Sequence, residues 1–227
     1  MSPEQSCLIW EQGKGGVAKQ AKDKGFEVVA QDADEGRFQY KQEIEFRQGD
    51  LNQGLPFRDR SFGYVVMLEV IEHLENPYFV LREISRVLKL GGELILSTPN
   101  IMNIKSRFRF LFEGAFEFFR EPLIEQTRKD SVFGRHIFPW RFQELEYLLF
   151  KNNLEIKNIY TDLFLPTAKC LCFLLPLIKL QCFSKRKRSL KKGGPDYLRL
   201  HKILFSPELL YGRHLIIKAR KRDYEIL

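Results

Sequence analysis

The chain has 227 residues, of which 44% are hydrophobic and 29% are charged. This balance excludes an intrinsically disordered chain, and the length suits one domain with a sizeable core, or one domain with a small appendage. The formal net charge of +8 favours anionic partners, such as nucleic acid, phosphate-bearing substrates or an acidic membrane surface, without choosing among them.

The cysteines have neither zinc-ligand spacing nor a disulfide framework, so we expect reduced thiols in a cytosolic protein. They are Cys7, Cys170, Cys172 and Cys182. The first residues have no basic region followed by a sustained apolar run, so we expect no secretory signal. Two prolines and two lysines interrupt the apolar stretch 163–180, which argues against a membrane-spanning helix.

The chain begins with a pattern typical of a strand–helix–strand unit. Residues 7–10 predict the first strand, a turn rich in glycine follows at 11–16, and residues 17–24 predict a helix. Residues 26–31 predict the second strand, and Asp32 closes it. Glycines in such a turn let the backbone approach a nucleotide, and an acid at the second strand can accept hydrogen bonds from ribose hydroxyls.

A third strand is predicted at 44–48, and it leads to Asp50 and Leu51. An acid that directly follows a buried strand lies at the edge where ligands of open α/β sheets bind. The alternative role for Asp50 is that of an ordinary turn residue.

The uninterrupted apolar run 64–68 predicts a strand buried on both faces. Glu69, Glu72 and His73 follow it and form a candidate site at the carboxyl end of that strand. If the chain becomes helical at Glu69, these three side chains project to one side. The alternative is an ordinary helix start, where acids are favourable.

Apolar spacing at 77–88 predicts a helix packed on the sheet, and the glycines at 91–92 are expected to stop it. Residues 93–97 predict the fifth strand, which ends at the segment 98–100. The last two strands are predicted at 154–160 and 214–219.

Residues 101–138 are irregular and rich in phenylalanine and arginine. An insertion after the fifth strand lies over the mouth of the predicted site, so we expect a lid or substrate wall. A small helical satellite core without substrate contact is the alternative. Arginines with aromatic residues could also stack on nucleobases, although no recognised RNA-binding module is present.

The insertion 163–213 combines the interrupted apolar stretch with a basic cluster at 185–188 and at Lys191 and Lys192. Apolar surface next to clustered cations is typical of a protein that lies on an anionic bilayer. The alternative is that the apolar stretch packs as core and the cluster is a solvated loop.

Several of these motifs together resemble class I S-adenosylmethionine-dependent methyltransferases, in particular the small-molecule O-methyltransferases of ubiquinone biosynthesis. The resemblance extends from about Gly13 to Asn100. It is carried by Leu55-Pro56-Phe57, Ser61-Phe62, Glu69-Val-Ile-Glu-His-Leu74 and Leu88-Lys-Leu-Gly-Gly-Glu-Leu-Ile-Leu-Ser-Thr-Pro-Asn100. It implies an α/β, Rossmann-like, doubly wound sheet of seven strands, the last antiparallel, within a single domain 1–227 that has a helical, aromatic-rich lid.

The resemblance also implies an S-adenosyl-L-methionine site at the strand ends. The implied cofactor-binding residues are Glu11, Gly13, Gly15, Asp32, Asp50, Leu51, Leu68 and Glu69. One alignment puts Ile9 where the family has an acid and Glu11 where it has its first glycine, so that the Glu11 side chain crowds the cofactor. In the other, Glu11 is the acid of a Glu-x-Gly-x-Gly variant. Residues that precede the first strand in the family are missing here, which suggests a truncated chain or an open site.

The catalytic residues implied by the resemblance are His73 and His136, with His73 as the base for a hydroxyl nucleophile. Glu-x-x-Glu-His is similar to the metal motif of ubiquinone-pathway and small-RNA 2′-O-methyltransferases. It therefore implies a possible divalent metal at Glu69, Glu72, His73 and His136. Each histidine has a structural alternative, as a capping or hydrogen-bonding residue.

The expected function is O-methylation of a small or lipid-linked hydroxyl acceptor, in the cytoplasm and with possible contact to an anionic membrane. Nucleic acid is the less favoured partner. The alternatives are RNA 2′-O-methylation and a catalytically degenerate scaffold in which Ile9 and Glu11 have disabled the pocket.

Overall fold

The computed structural model describes residues 5–11, 13–119, 136, 138–176 and 198–223. The chain divides into two compact units. The first unit comprises Met1–Thr98, Gln143–Ile159 and Ile216–Leu227, and the second comprises Pro99–Phe142 and Tyr160–Leu215.

A seven-stranded sheet in the order β3-β2-β1-β4-β5-β7-β6 forms the centre of the first unit. The first five strands pair in parallel wherever they are neighbours. The strands are β1 (Ser6–Glu11), β2 (Glu27–Asp32), β3 (Glu45–Gln48), β4 (Phe62–Leu68), β5 (Leu88–Pro99), β6 (Leu154–Tyr160) and β7 (His214–Lys221). The seven-stranded α/β architecture predicted from the sequence is confirmed.

Six α-helices have both of their ends within the described ranges of the chain. They are α1 (Gly16–Asp23), α2 (Pro77–Val87), α3 (Ile104–Glu113), α4 (Phe142–Lys151), α5 (Pro166–Cys170) and α6 (Pro207–Tyr211). Local capping explains two of the starts. Asn76 precedes Pro77 and accepts a hydrogen bond from the Phe79 amide at 3.0 Å, and Asn103 accepts one from the Ser106 amide at 2.8 Å.

The prediction that two glycines stop the second long helix is wrong. The helix ends at Val87, and β5 begins at once and runs through Gly91 and Gly92. Phe62 pairs with Leu88, whereas Tyr64, two residues on, pairs with Glu93. The glycines therefore allow an irregularity in the strand: Gly91 has φ +70°, and a Cβ at Gly92 would lie 2.9 Å from a backbone carbonyl.

Buried apolar side chains hold the sheet of the first unit between its helices. On one side, α1 packs with Ala18 into a cluster that includes Ile9, Ala30 and Val66. On α2 the buried residues recur at helical spacing, as the sequence predicts: Val80, Leu81, Ile84 and Val87.

In the second unit, the buried Asn100 ties the segment after β5 to the loop around α6. Its amide nitrogen donates to three backbone carbonyls, those of Glu208, Leu209 and Gly212, at 2.9–3.1 Å. Its side-chain oxygen accepts from the Met102 amide at 3.0 Å. Four hydrogen bonds of one buried side-chain amide therefore fix the loop around α6.

The predicted lid 101–138 and insertion 163–213 fall in the second unit. Helix α3 lies in the first of these and α5 in the second, while residues 120–135, 137 and 177–197 lie outside the described part of the chain, together with Cys182 and the basic cluster. The roles of both segments stay predictions. The described cysteines are free thiols. In the described segments, no helix combines the length and apolar character needed to cross a membrane.

Candidate functional site

The carboxyl ends of the first four strands lie level with one another at one edge of the first unit's sheet. Glu11 at the end of β1 pairs with Leu68 at the end of β4, and Asp32 at the end of β2 pairs with Gln48 at the end of β3. Ser6 pairs with Glu27, and the same offset brings Glu11 level with Asp32. Neighbouring strands lie about 4.8 Å apart, so the acids of β1 and β2 are close neighbours.

The glycine turn between β1 and α1 follows that edge. Gly15 has φ +96°, a conformation that favours glycine, and a Cβ there would lie 2.5 Å from the Phe38 ring. Phe38 stacks on Phe46 of β3 with 5.0 Å between ring centroids. The glycine turn therefore packs directly against the Phe38 ring, and position 15 has room for glycine alone.

Glu11 points its carboxylate at the start of α1. Its two oxygens accept hydrogen bonds from the amides of Val17 and Ala18, at 3.1 and 3.3 Å. Gly15, the residue that precedes the helix, has no side chain with which to cap it, so Glu11 supplies the cap from the strand end. This geometry matches the alternative in which Glu11 is the acid of a Glu-x-Gly-x-Gly turn.

Asp32 and Asp50 each close a strand with a tight turn. Asp32 Oδ1 accepts from the Asp34 amide at 2.9 Å. Asp50 Oδ1 accepts from the backbone and the side-chain amide of Asn52, at 2.9 and 3.0 Å. Asp50 thus has the turn role that the sequence left open, in a position at the strand edge, and Leu51 beside it is buried.

The chain does not become helical at Glu69, so the predicted helical arrangement of Glu69, Glu72 and His73 is wrong. Glu69 has φ +55°, and its amide donates to the Ser97 carbonyl at 3.2 Å. The Ser97 hydroxyl donates to Glu69 Oε1 at 2.7 Å. A short 3₁₀ turn begins only at Ile71. The bond to the end of β5 holds Glu69 in the left-handed conformation that breaks the helix.

Glu72 is a carboxyl group without exposed surface. Burial raises its pKa to about 8, and the negative charge of Glu69 adds to the shift, while the nearby Thr98 hydroxyl opposes it. Near neutral pH, this group therefore holds its proton for most of the time.

The two predicted catalytic histidines belong to different units. His73 ends the 3₁₀ turn of the first unit, half-buried, and its amide donates to the Val70 carbonyl at 2.9 Å. His136 lies in the second unit, where Nδ1 is 3.0 Å from the Phe118 carbonyl oxygen. A carbonyl only accepts, so this bond selects the tautomer with hydrogen on Nδ1. The four-residue metal site stays a prediction.

Sequence reasoning missed Ser97, which was read only as the last residue of a strand. Its hydroxyl links the ends of β4 and β5, and its signal is weak because serine is common at strand ends. Gln31 was missed as well. It is buried, and its side-chain oxygen accepts from the Trp10 indole nitrogen at 3.3 Å, just inside the edge.

The strand order, the parallel strands, the glycine turn and the level acids define the Rossmann-like fold of class I S-adenosylmethionine-dependent methyltransferases. Structural comparison agrees. A SAM-dependent methyltransferase from Archaeoglobus fulgidus matches with a TM-score of 0.59 at 16% identity, over 96% of this chain and 86% of that one. One from Mesorhizobium loti matches with a TM-score of 0.53 at 15% identity, over 95% and 90%.

Sequence comparison agrees with the fold. Residues 12–96 match the family model described as a methyltransferase domain. The ubiquinone biosynthesis O-methyltransferase of Maricaulis maris is 38% identical over 58 residues, which are 26% of this chain and 23% of that protein. The chain thus matches less than a quarter of this curated relative. The chain therefore has the fold of the class I S-adenosylmethionine-dependent methyltransferases, and its residues 12–96 match a methyltransferase domain.

Proposed function

We propose that the first unit binds S-adenosyl-L-methionine at its carboxyl edge and that the protein transfers the methyl group to a hydroxyl of a small or lipid-linked acceptor. The observation that carries the proposal is the level alignment of Glu11, Asp32 and Leu68 at that edge, next to a turn that only glycine can form. The backbone of such a turn can approach a ligand closely.

The residues of the edge fit the parts of the cofactor. Asp32 uses one carboxylate oxygen on its own turn, and ribose hydroxyls are suitable donors to the carboxylate. Asp50 and the buried Leu51 suit the adenine, with a polar group for its amine and an apolar one for its ring. Because the Glu11 carboxylate accepts hydrogen bonds from the first amides of α1, its charge stabilises the helix and does not point at the methionine part of the cofactor.

When bound, S-adenosyl-L-methionine supplies an electrophilic methyl group on a good leaving group. The protein then has to align the acceptor, exclude water and remove one proton. His73 is the base in this proposal, since imidazole accepts a proton near neutral pH. Glu72, which mostly keeps its proton, is better suited to hold a neighbour by hydrogen bonding than to act as the base itself.

The proposal also includes a divalent metal ion at the predicted ligands. Carboxylate and imidazole donors suit Mn²⁺ or Fe²⁺ better than Mg²⁺. Of the four predicted ligands, Glu69 already accepts a bond from Ser97, and Glu72 must lose its proton before it can bind a metal. Glu72 and His73 are then the donors of the first unit for such an ion, and His136 stays a predicted ligand.

Calorimetric titration of the whole chain tests the proposal. We expect S-adenosyl-L-methionine and S-adenosylhomocysteine to bind, and Asp32→Ala to weaken both at least tenfold, because a charge-assisted hydrogen bond is worth about 1.5–3 kcal/mol. Asp223→Ala removes an acid beyond the last strand and should leave the affinity unchanged. The proposal is contradicted if neither ligand gives a heat of binding at millimolar concentration.

The same preparation then separates the acceptor classes. Labelled methyl transfer to phenolic or lipid-linked hydroxyls supports the proposal. Transfer to RNA, with binding lost steeply as salt rises, favours 2′-O-methylation instead. Binding of the cofactor without transfer to any acceptor favours the scaffold alternative. Loss of transfer on chelation would add the metal.

A further inference from the structure

The second unit exposes a group of large apolar side chains that the methyltransferase reaction does not require. Leu111 and Phe112 at the end of α3 are 75% and 70% exposed, and Phe173, in the 3₁₀ turn after α5, is 67% exposed. No other large hydrophobic side chain in the described ranges is as exposed as these three. With Leu163 and Phe164, which precede α5, we call them the apolar face.

The segments that carry the apolar face pack together within the unit, since α3 contacts both α5 and the 3₁₀ turn that follows it. Phe108 and Phe112 of α3 also pair, with 4.7 Å between ring centroids. Single exposed apolar residues are ordinary, but a cluster of them marks an interaction surface.

The protein's net positive charge lies in the sequence of the same unit. Its sequence contains 19 lysines and arginines against 8 acidic residues, a net charge of +11. The first unit has 18 against 21, a net charge of −3. An excess of this size on the unit with the apolar face points to an anionic partner.

We propose that the apolar face inserts into the interfacial region of an anionic lipid bilayer while the cationic unit binds the acidic headgroups. Leucine and phenylalanine are the side chains that enter this region, and cations on the same unit add attraction to acidic lipids.

Nucleic acid and a second copy of the chain fit the apolar face less well. Leu111 and Leu163 offer nothing to a phosphate or a base. Two copies that met through this unit would each bring a net charge of +11, and like charges oppose association.

Co-sedimentation of the full chain with lipid vesicles tests the proposal without any cofactor, so its result is independent of the proposed methyl transfer. We expect binding to phosphatidylcholine vesicles that contain about 30% phosphatidylglycerol, and much weaker binding to phosphatidylcholine alone. Raising the salt to about 1 M should weaken binding by screening, but not abolish it, because apolar insertion remains.

A double variant, Leu111→Glu with Phe112→Glu, should lower the vesicle partition coefficient at least tenfold, since burial of each side chain is worth about 1.5–3 kcal/mol. Tyr147→Glu, at an exposed site on α4 of the first unit, is the matched control and should bind as the parent does. Far-ultraviolet circular dichroism checks that both variants are folded.

Three results would overturn the proposal. The first is equal binding of the parent to neutral and anionic vesicles, or to neither. The second is unchanged binding of the folded double variant. The third is binding of a single-stranded RNA that the double variant loses in parallel with vesicle binding, which would make the face a nucleic-acid surface.

Discussion

Glu72 is the one acidic side chain that is buried among the described residues. In the unfolded chain, its carboxyl group ionises around its ordinary pKa of 4.5, whereas the folded protein keeps the proton up to about pH 8. Between these values the folded state binds one more proton than the unfolded state, so its free energy of unfolding falls as pH rises. Below pH 4.5 the buried carboxyl group does not destabilise the fold through ionisation. Above about pH 8 the whole cost of ionising it in the folded state has been added.

Glu72→Gln should therefore stabilise the protein at high pH. Glutamine keeps the shape and stays neutral, so the gain should grow by about 1.4 kcal/mol per pH unit between pH 4.5 and about pH 8, to an order of 4 kcal/mol at pH 8. Urea unfolding at pH 5 and pH 8 measures it. Glu75→Gln, at the exposed neighbouring glutamate, should change little at either pH. A gain that is the same at both pH values would mean that Glu72 ionises normally in the fold.

At the scale of elements, the turn between β1 and α1 depends on a cap that comes from the strand. A helix whose capping position is glycine normally leaves its first amides to water, but here Glu11 accepts from two of them. The cap joins the end of β1 to the start of α1 and so fixes the conformation of the glycine turn between them.

Removal of this cap distinguishes the two sequence alignments of Glu11. Glu11→Ala should lower the free energy of unfolding by about 1 kcal/mol and weaken S-adenosyl-L-methionine binding, because the helix loses its cap and the turn its support. If the side chain instead crowds the cofactor, the same change should tighten binding. Glu27→Ala, at an exposed glutamate of β2, is the control, and denaturation with calorimetric titration provides both readouts.

At the scale of the whole molecule, apolar residues of the same type lie either in the buried core or on the exposed apolar face. Leu96 of β5 has no exposed surface, whereas the Leu111 side chain of α3 is 75% exposed. Leu96→Ala should lower the free energy of unfolding by about 2–5 kcal/mol, through lost burial and the cavity that remains. Leu111→Ala should change it by less than about 0.5 kcal/mol. If chemical denaturation shows that both variants lose the same free energy of unfolding, the apolar face is covered in solution.

Much of this architecture follows from local pattern. The strands at 7–10, 64–68 and 154–160 were predicted within one or two residues, because short apolar runs bounded by polar turns have few other solutions in an α/β chain. The acids at the strand ends were found for the same reason, since parallel strands end at one edge. The prediction at Gly91 and Gly92 was wrong because glycine can either end a helix or kink a strand. Only the pairing of β4 with β5 decides between these two roles.

The sequence by itself determined the parallel sheet, the family resemblance and the candidate acids, since each depends on residue type and short spacing. Tertiary structure alone decided that Glu11 caps α1, that Ser97 holds Glu69 out of a helix and that Glu72 is fully buried. It also decided that Leu111 and Phe112 face water. These outcomes depend on which distant segments meet, and contacts between residues far apart in the chain leave no periodic signal in the sequence.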